Sequence, residues 1–585
     1  MVTSKTKLAF RLGTAFTAAA LALPLLSFTP AGASKTPSAI TFPRNETLYT
    51  SGTLWGSPGN FNPMDQGAWD TGTSGLLYEP LFKYDPIHNK YIPWLATSGS
   101  WSGSSYTIHV RNGVKWSDGS ALTGADVAYT INLAKTNPAV PYSGLVQEGL
   151  LGATASGNTV TVKFSTPPPY TAWQDFLWGN NGGFIVPEAS WSKMSATEQV
   201  SGTNQNPVTS GPMTLVPGQV WNSSTQQTCF QDNPNWWGIG QLGLSFHFKY
   251  LCDVVNWSNN VGLTNFLQGN YDWSNNFLPG INTLANAGGY KQIKMYYPKA
   301  PYMLSANTAW LEMNTQKAPM SNVWFRRAVA AAVNPQGVVQ GVYANIVAQS
   351  DPTGLLPNLS GYVDKGVVSK YGFTYNPSAA KADLAKSGYK GQSLTLAVPN
   401  GWTDWMAAIQ VIAAQLRSIG IKVTPIYPKV SGVITLTGLG SSSYTSFDMI
   451  IDNNAGPDST PWSYFNRVYS LPIGGKSNEE AAGLNLERYS DPTAFSLVKK
   501  AAVTPLSNTA ALKSIYSQLE TRFLQALPEI PLWYNGAWFQ GNSTYWKNYP
   551  SQDNPNDQNT PVMWSGAWLG GMTTVYALAA LRPAA

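Results

Sequence analysis

The chain has 585 residues, enough for about two to four packed domains. Charged residues make up 11% of it, against a usual share of about 25%, and the formal net charge is +6. So small a charge, with no run of Lys or Arg, gives no electrostatic reason to expect nucleic acid as a partner. The apolar share of 43% excludes a disordered chain, because it can bury a large core.

The first residues have the organisation of a secretory signal peptide. Lys5, Lys7 and Arg11 form a basic start, an apolar run follows, and Ala-Gly-Ala at 31–33 supplies the small residues of a cleavage site. The apolar run is shorter than the roughly 20 residues that span a bilayer, which disfavours a membrane anchor. We therefore predict a signal peptide over residues 1–33 and export to the periplasm or the cell exterior. No Cys stands at the cleavage site to form a lipobox, so we expect no lipid anchor.

The segment "YTIHVRNGVKWSDGSALTGADVAYTINLA", residues 106–134, predicts a strand, a tight turn and a helix. Asp118-Gly119 suits the turn, because Gly permits a positive φ. Thr123 is the predicted N-cap, and Asp126 follows three residues later, close to a capping-box arrangement. These charges belong either to an acid–base site or to a structural joint. The capping pattern favours the joint.

Later segments alternate between strand and helix periodicity. Strands are predicted at 158–165, 393–399, 422–428 and 528–541, and helices at 323–333, 376–389, 405–421 and 509–527. The predicted N-cap of the helix at 323–333 is Ser321. This mixture implies α/β layers in more than one domain.

The chain has only two cysteines, Cys229 and Cys252. They fall on two predicted strands joined by a Gly-rich loop. In an exported chain such a pair is free to oxidise, so a disulfide is one interpretation and two separate buried thiols are the other. The two cysteines with His247 between them fall short of a zinc site.

No catalytic constellation is evident in the sequence. The three histidines, His88, His109 and His247, lack metal-ligand partners at the spacing that zinc sites need. The chain also lacks a G-x-S-x-G elbow and a G-x-x-x-x-G-K-[ST] phosphate loop. We therefore expect no enzymatic activity, no metal and no cofactor. A pair of carboxylates leaves no mark in sequence spacing, so a secreted glycan hydrolase remains an alternative from another class.

Four predicted loops combine aromatic residues with Asn, Asp or Gly, at 53–64, 400–406, 452–469 and 531–541. Aromatic faces stack on sugar rings or pack on peptide side chains, while amides bond hydroxyl or backbone groups, a mixture that suits a neutral polar ligand. Many of the 23 Trp residues must belong to the core. The loop context distinguishes four of them as candidate binding residues, Trp55, Trp402, Trp405 and Trp462.

The strand–turn–helix segment also resembles the defining segment of a known family. The family 5 extracellular solute-binding proteins, the peptide- and oligosaccharide-binding subunits of ABC importers, have a core R-x-G-V-x-[FW]-x-D-G-x-x-[LV]-x-A-x-D-V. Residues 110–127, "VRNGVKWSDGSALTGADV", are similar to it and depart at Gly124, where Ala is usual. Further segments that resemble the family follow in family order, at 78–86, 210–216, 233–238, 267–273, 311–334, 376–389 and 527–534. The similarity covers nearly the whole chain after the signal peptide.

The resemblance implies a periplasmic-binding-protein-like α/β fold, in which two α/β lobes joined by a hinge enclose the ligand. We expect residues 34–304 and 516–585 to form lobe I, with an inserted subdomain at about 62–200, and residues 305–515 to form lobe II. The implied function is to bind a solute outside the membrane and deliver it to an ABC permease. Partner subunits use the ATP, and the binding protein is expected to be a monomer without catalytic activity.

One ligand class that the resemblance implies is an oligosaccharide. The loops "TLWGSPGNFNPM", "NGWTDWM" and "NNAGPDSTPWSYFN" look like those of the branch that binds β-linked gluco-oligosaccharides such as cellobiose. In this interpretation the stacking platforms are Trp55, Trp402 and Trp405, and the hydroxyl partners are Asn62, Asn453 and Asn454.

The other class is an oligopeptide or dipeptide. Peptide binders of the family pair the peptide amine with an Asp in a lobe II loop that has an Asp-Pro step. The corresponding loop here is "IDNNAGPDSTPWSYF", where Gly-Pro replaces Asp-Pro and Asp458 follows. Asp458 is then the candidate amine partner. Aromatic and amide loops suit a neutral ligand, so we place the oligosaccharide first. A signalling role without transport is a further alternative.

Overall fold

Strands and helices alternate along the chain in a computed structural model. The structure describes residues 42–51, 60–65, 72–180, 182–218, 221–429, 447–453, 456–471, 473, 485–553 and 572–584. The predicted signal peptide, Trp55 and Asn454 lie outside these residues. Within them, no helix combines the length and the apolar character that crossing a membrane requires.

The bounds of the elements are as follows. The strands are β1 (Thr47–Ser51), β2 (Phe82–Asp85), β3 (Lys90–Pro93), β4 (Ala96–Ser102), β5 (Ser105–Val110), β6 (Leu150–Ser156), β7 (Thr159–Phe164), β8 (Met213–Leu215), β9 (Gln227–Asp232), β10 (Tyr250–Val254), β11 (Trp273–Ser274), β12 (Ile293–Lys294), β13 (Ser305–Met313), β14 (Leu394–Ala397), β15 (Val423–Ile426), β16 (Met449–Asn453), β17 (Glu529–Gly536), β18 (Gln540–Asn542), β19 (Trp546–Lys547) and β20 (Arg582–Pro583). The helices are α1 (Gly124–Thr136), α2 (Gly144–Gln147), α3 (Tyr170–Leu177), α4 (Glu188–Trp191), α5 (Ala196–Ser201), α6 (Trp237–Leu242), α7 (Asn259–Leu267), α8 (Ile281–Asn286), α9 (Val323–Ala332), α10 (Pro335–Gly341), α11 (Lys365–Tyr371), α12 (Pro377–Lys386), α13 (Thr403–Ser418), α14 (Trp462–Tyr469), α15 (Pro492–Ala502), α16 (Thr509–Ala526) and α17 (Thr574–Ala580).

The larger main sheet has seven strands in the order β12-β18-β11-β1-β10-β9-β8. β1 pairs in parallel with β10 and β11, so these three strands end at the same edge. β9 and β18 run antiparallel to their neighbours β10 and β11 and begin at that edge. Cys229 on β9 lies directly opposite Cys252 on β10, and the two form a disulfide.

The second main sheet has five strands in the order β15-β14-β16-β13-β17. β14 pairs in parallel with β15 and β16, whereas β13 runs antiparallel to β16 and β17. β13 is buried along almost its whole length, and it carries the buried polar side chains of Asn307, Thr308 and Glu312 among its apolar residues. The apolar face of α13 packs on this sheet through Ile409, Ile412 and Leu416, each with no exposed area.

A four-stranded antiparallel sheet, β4-β5-β7-β6, holds the strand–turn–helix joint. The structure confirms the predicted capping: Thr123 accepts from the backbone of α1, and Asp126 Oδ2 accepts the Thr123 N–H at 2.9 Å. Gly119 has φ +88°, as the predicted turn requires. A Cβ at Gly124 would lie 2.4 Å from the Gly157 carbonyl oxygen, closer than real Cβ contacts. Close packing of α1 on the β6–β7 hairpin therefore explains why Gly replaces the usual Ala.

Two details of the predicted elements are wrong. The N-cap of α9 is Asn322, whose side chain accepts the Trp324 N–H at 2.9 Å, and not Ser321. The predicted strand at 528–541 is two strands, β17 and β18, which belong to different sheets. Hydrophobic pattern alone does not separate these strands, because both are buried.

The chain passes between the two main sheets at two described places, residues 295–304 and 537–539. The Ala537 N–H donates to the Leu304 carbonyl at 2.7 Å, so the two crossing segments are hydrogen-bonded to each other. The predicted lobe boundaries stay a prediction. A division by sheets would place the second boundary at 537–539, because β17 pairs with β13 while β18 pairs with β11 and β12.

Glu520 on α16 is a buried carboxyl group with an unusual environment. Its Oε2 accepts the Asp364 N–H at 2.8 Å, at the residue that caps α11. Burial raises the pKa of Glu520 from 4.5 to about 8, because the carboxylate loses its hydration. The folded protein therefore holds a proton on this group over a pH range in which the unfolded chain has released it.

The free energy of unfolding is expected to fall as pH rises from about 4.5 towards 8, because the folded state binds the extra proton. Glu520→Gln keeps an acceptor for the Asp364 N–H and removes the titration. We expect the decrease between pH 5 and pH 8 to be at least about 1 kcal/mol smaller in this variant. Urea unfolding of both proteins at several pH values measures the difference. Parallel pH profiles for the two proteins would contradict the assignment.

Candidate functional site

Amide side chains gather at one edge of the seven-stranded sheet. Asn256 follows the end of β10, and Asn275 and Asn276 follow the end of β11. Gln540 begins β18 and lies opposite Ser274, at the same edge. In open α/β sheets, ligands bind beyond the carboxyl ends of parallel strands, so this edge is a candidate ligand-binding site.

Two of these amides have no partner within the described part of the chain. Both polar atoms of Asn275 and both polar atoms of Gln540 are buried and make no hydrogen bond there. Asn275 is 2% exposed and Gln540 is 0% exposed. A buried polar group without a partner destabilises the fold by about 1–3 kcal/mol. Side chains that remain in such a state point to a polar ligand, or water, as the missing partner.

The neighbouring amides fix the shape of this edge. The Asn256 Nδ2 donates to the Asn276 Oδ1 at 2.5 Å, and the Asn276 N–H donates to the Ser274 Oγ at 3.2 Å. The Asn275 N–H donates to the Ser51 carbonyl at the end of β1. The backbone around Asn275 is thus held while its side chain remains available.

A similar set of amides lies at the edge of the five-stranded sheet. Asn307 on β13 and Asn535 on β17 pair across the two strands, and the Oδ1 atom of each is buried without a partner among the described residues. Asn453, a predicted site residue, ends β16 opposite Ala309, close to this pair. The Asn453 backbone N–H donates to Asp452 Oδ1 at 2.8 Å, and Asn453 is half-buried.

A cleft of about 800 Å³ adjoins the two crossing segments. Its lining includes Tyr297, Ser305, Asn358 and Gln552. Lys299 is the one charged side chain among the described residues that line it. Ser305 pairs with Gly536, next to the Asn307–Asn535 pair, so the cleft lies beside the amides of the five-stranded sheet.

Trp402 and Trp405 occupy different positions. Trp402 precedes α13 and follows the carboxyl end of β14, and it is half-buried. Trp405 is 3% exposed and packs in the core beneath it, with ring centroids 4.8 Å apart in an edge-to-face arrangement. Trp402 therefore keeps part of its ring exposed beyond β14. Trp405, which was predicted as a stacking platform, instead lies in the core and packs against Trp402.

Asn62 is tied into the protein. Its Nδ2 donates to the carbonyls of Gln199 and Gly202, each at 3.1 Å, and its Oδ1 accepts the Met64 N–H at 2.8 Å. The residue is 1% exposed. These bonds use both ends of the amide, which favours a structural role over ligand contact, and we do not carry Asn62 into the proposed ligand set.

Asp458 is also largely satisfied by local bonds. Its carboxylate accepts from the Ser459 N–H at 2.6 Å and from the Ser463 hydroxyl at 2.8 Å, in the first turn of α14. Burial raises the pKa of Asp458 to about 6. The Asp458 carbonyl accepts from the Tyr84 hydroxyl and from Asn358, which lines the cleft. Trp462 is 6% exposed and lies in the core, with its indole N–H unpaired among the described residues.

Four candidate site residues, Asn275, Asn307, Asn535 and Gln540, are not among those named from the sequence, although Asn535 and Gln540 fall within the candidate segment 531–541. Asn275 could have been found, because "YDWSNNFL" places two amides directly after a short apolar strand. The other three lie within strands, where a polar side chain usually faces solvent. Their burial becomes evident only from the packing of the two sheets.

Comparison with known proteins gives the class. Residues 90–475 match the family model described as bacterial extracellular solute-binding proteins, family 5 Middle. The chain belongs to this family. The match confirms the family that the sequence resembles, the mixed α/β periplasmic-binding-protein fold, and the expectation of a non-enzymatic protein, because the family is non-enzymatic. It is a solute-binding protein of an ABC importer, for which the family implies a permease partner.

Individual relatives differ in what they bind. The structure is similar, with a TM-score of 0.84 and 37% identity over 93% of this chain and 99% of the other, to an oligopeptide ABC transporter periplasmic oligopeptide-binding protein from Thermotoga maritima with mannohexaose bound. The chain is 23% identical to the probable ABC transporter periplasmic-binding protein SapA of Escherichia coli, over 84% of this chain and 88% of SapA. A dipeptide-binding protein from Pseudoalteromonas in complex with Met-Leu shares the fold. Its TM-score is 0.71, and its identity is 18% over 92% of this chain and 100% of the other.

The unpaired state of Gln540 can be tested without any ligand. Gln540→Met preserves the side-chain length and removes the two buried polar atoms, so we expect the free energy of unfolding to stay unchanged or to rise by up to about 2 kcal/mol. Asn542→Leu on the same strand is the matched control. The Asn542 amide bonds the Phe266 carbonyl at 3.0 Å and the Thr544 hydroxyl at 2.6 Å, so this variant should lose about 1–3 kcal/mol. Equal destabilisation by both variants, measured by urea unfolding, would contradict the assignment.

Proposed function

We propose that the protein captures a neutral oligosaccharide outside the cytoplasmic membrane and delivers it to the permease of an ABC importer. A β-gluco-oligosaccharide such as cellobiose is the first candidate ligand. The observation that carries this proposal is the pair of buried amides, Asn275 and Gln540, at the carboxyl edge of the seven-stranded sheet, which have no hydrogen-bond partner in the described part of the chain. Sugar hydroxyls both donate and accept hydrogen bonds, so they can satisfy both ends of each amide.

Two further observations support a neutral ligand. The cleft beside the crossing segments has a single charged residue, Lys299, among its described lining residues. Trp402 stands half-buried after β14, where its ring can stack on a sugar face. The Thermotoga maritima relative with mannohexaose bound adds weight to an oligosaccharide, and it makes manno-oligosaccharides candidates beside gluco-oligosaccharides.

Calorimetric titration with cello-, laminari- and manno-oligosaccharides tests this proposal. We expect saturable heat from at least one series and none from di- to pentapeptides. The Asp458→Asn variant is the control for the peptide alternative. It keeps one oxygen to accept the Ser459 N–H, its new Nδ2 can donate to the Ser463 hydroxyl, and the charge is removed. A sugar binder should retain its affinity in this variant, whereas loss of an amine–carboxylate pair should weaken peptide binding at least about tenfold. Heat from peptides alone would reverse our ordering.

We also propose that the protein is exported and acts as a monomer in the periplasm or at the cell exterior. The signal peptide predicted at 1–33 and the periplasmic relatives support export. The mature protein should then begin near residue 34. N-terminal sequencing of protein recovered outside the cytoplasm checks this, and a mature chain that retains residues 1–33 would contradict cleavage.

A further inference from the structure

Trp257 is an exposed aromatic side chain beside the amide edge. It is 54% exposed, although most of the described tryptophans are buried or half-buried. It directly follows Asn256, which is buried beyond the end of β10. A single exposed indole is ordinary on a protein surface, and what distinguishes this one is its position next to the amide edge.

The indole of Trp257 is held in place. Its Nε1–H donates to the Gln226 Oε1 at 2.7 Å. Gln226 is itself fixed, because its carbonyl accepts the Val255 N–H at 2.9 Å. An aromatic ring that is fixed before binding loses little conformational entropy when a ligand stacks on it.

The segment that carries Trp257 also reaches the elements of the five-stranded sheet. The Asn259 Nδ2 lies 3.2 Å from the Thr403 Oγ1 and 3.2 Å from the Asp404 Oδ1, at the start of α13. A Cβ at Gly401 would lie 3.8 Å from the Trp257 carbonyl oxygen. Trp257 is thus close to Gly401 and to the neighbouring Trp402, where the ends of the two main sheets approach each other.

The distance along the edge sets the size of a ligand that could use both places. Neighbouring strands lie about 4.8 Å apart, so the three steps from β18 to β10 separate Gln540 from Asn256 by roughly 14 Å. A single sugar ring is much shorter than this separation. A ligand that pairs with Gln540 must therefore contain several sugar units to reach Trp257.

We propose that Trp257 forms an outer subsite, which stacks on a sugar ring of oligosaccharides too long to be held by the inner amides alone. This inference rests on the proposed oligosaccharide-binding function and adds a length preference to it. The inner amides Asn275 and Gln540 bind one end of the ligand, and Trp257 binds a ring further along it.

Titration of wild-type and Trp257→Ala proteins with the disaccharide, tetrasaccharide and hexasaccharide of a series that the wild type binds tests the subsite. We expect hexasaccharide affinity to fall about tenfold in the variant, and disaccharide affinity to stay within about twofold. Trp257→Phe should retain most of the hexasaccharide affinity, because it keeps an aromatic face. Trp324→Ala is the control, since Trp324 is a 37% exposed tryptophan on α9. It should leave the affinity for every length unchanged.

The outcomes separate this inference from the proposed function. If wild-type protein binds no oligosaccharide of any series, the proposed function fails and the subsite falls with it. If wild-type protein binds the series but Trp257→Ala changes no affinity, or lowers every length equally, the outer subsite is overturned and the proposed function stands. Unchanged affinity combined with impaired uptake in cells would instead assign Trp257 to the permease contact. Matching thermal unfolding of variant and wild type excludes a folding defect.

Discussion

The hydrogen bond from the Ala537 N–H to the Leu304 carbonyl joins the two segments in which the chain crosses between its main sheets. The candidate site depends on this connection, because the crossing segments join the strands that carry its amides in the two sheets. β17 ends at Gly536 and β18 begins at Gln540, so three residues separate strands that belong to different sheets. Asn535, whose Oδ1 has no partner among the described residues, and Gln540 are therefore carried by neighbouring stretches of one chain, one in each sheet. The first of these segments also lines the 800 Å³ cleft, through residues such as Tyr297, Lys299 and Leu304.

Strand pairing also separates the charges of this chain from its amides. On the β13–β17 pair, Asn307 and Asn535 lie at one end, while Glu312 lies opposite Glu529 at the other. Arg467 approaches Glu312 at 3.4 Å, and burial raises the pKa values of both glutamates well above the ordinary value. Burial of ions is unfavourable unless they are paired or protonated. Glu312, Glu529 and Arg467 thus lie at the end of these strands that is away from Asn307 and Asn535.

The sequence predicted best what depends on neighbouring residues. The cap of α1 was predictable because Thr123 and Asp126 are three residues apart and bond each other locally. The same holds for the family resemblance, which rests on that segment. The hydrogen bonds of Asn62 could not be predicted from neighbouring residues, because the carbonyls that accept from its amide are 137 and 140 residues away in the sequence. Gln540 was missed for a related reason. Its burial follows from strands brought together across the whole chain, so the aromatic-rich segment 531–541 can be singled out from the sequence but not this one amide within it.

The unpaired amides also bear on how the site can discriminate between ligands. A ligand that supplies donors and acceptors to Asn275 and Gln540 recovers the free energy that these groups lose on burial. A ligand without them leaves the amides unsatisfied, and such mismatches at buried polar groups discriminate far more strongly than a missing methylene in an apolar pocket. In the proposed site, stacking by Trp402 or Trp257 would add affinity for any ring with an apolar face and would be less selective. Selectivity for hydroxyl-rich ligands is therefore expected to reside in the inner amides, and ligand length to be sensed by the outer ring.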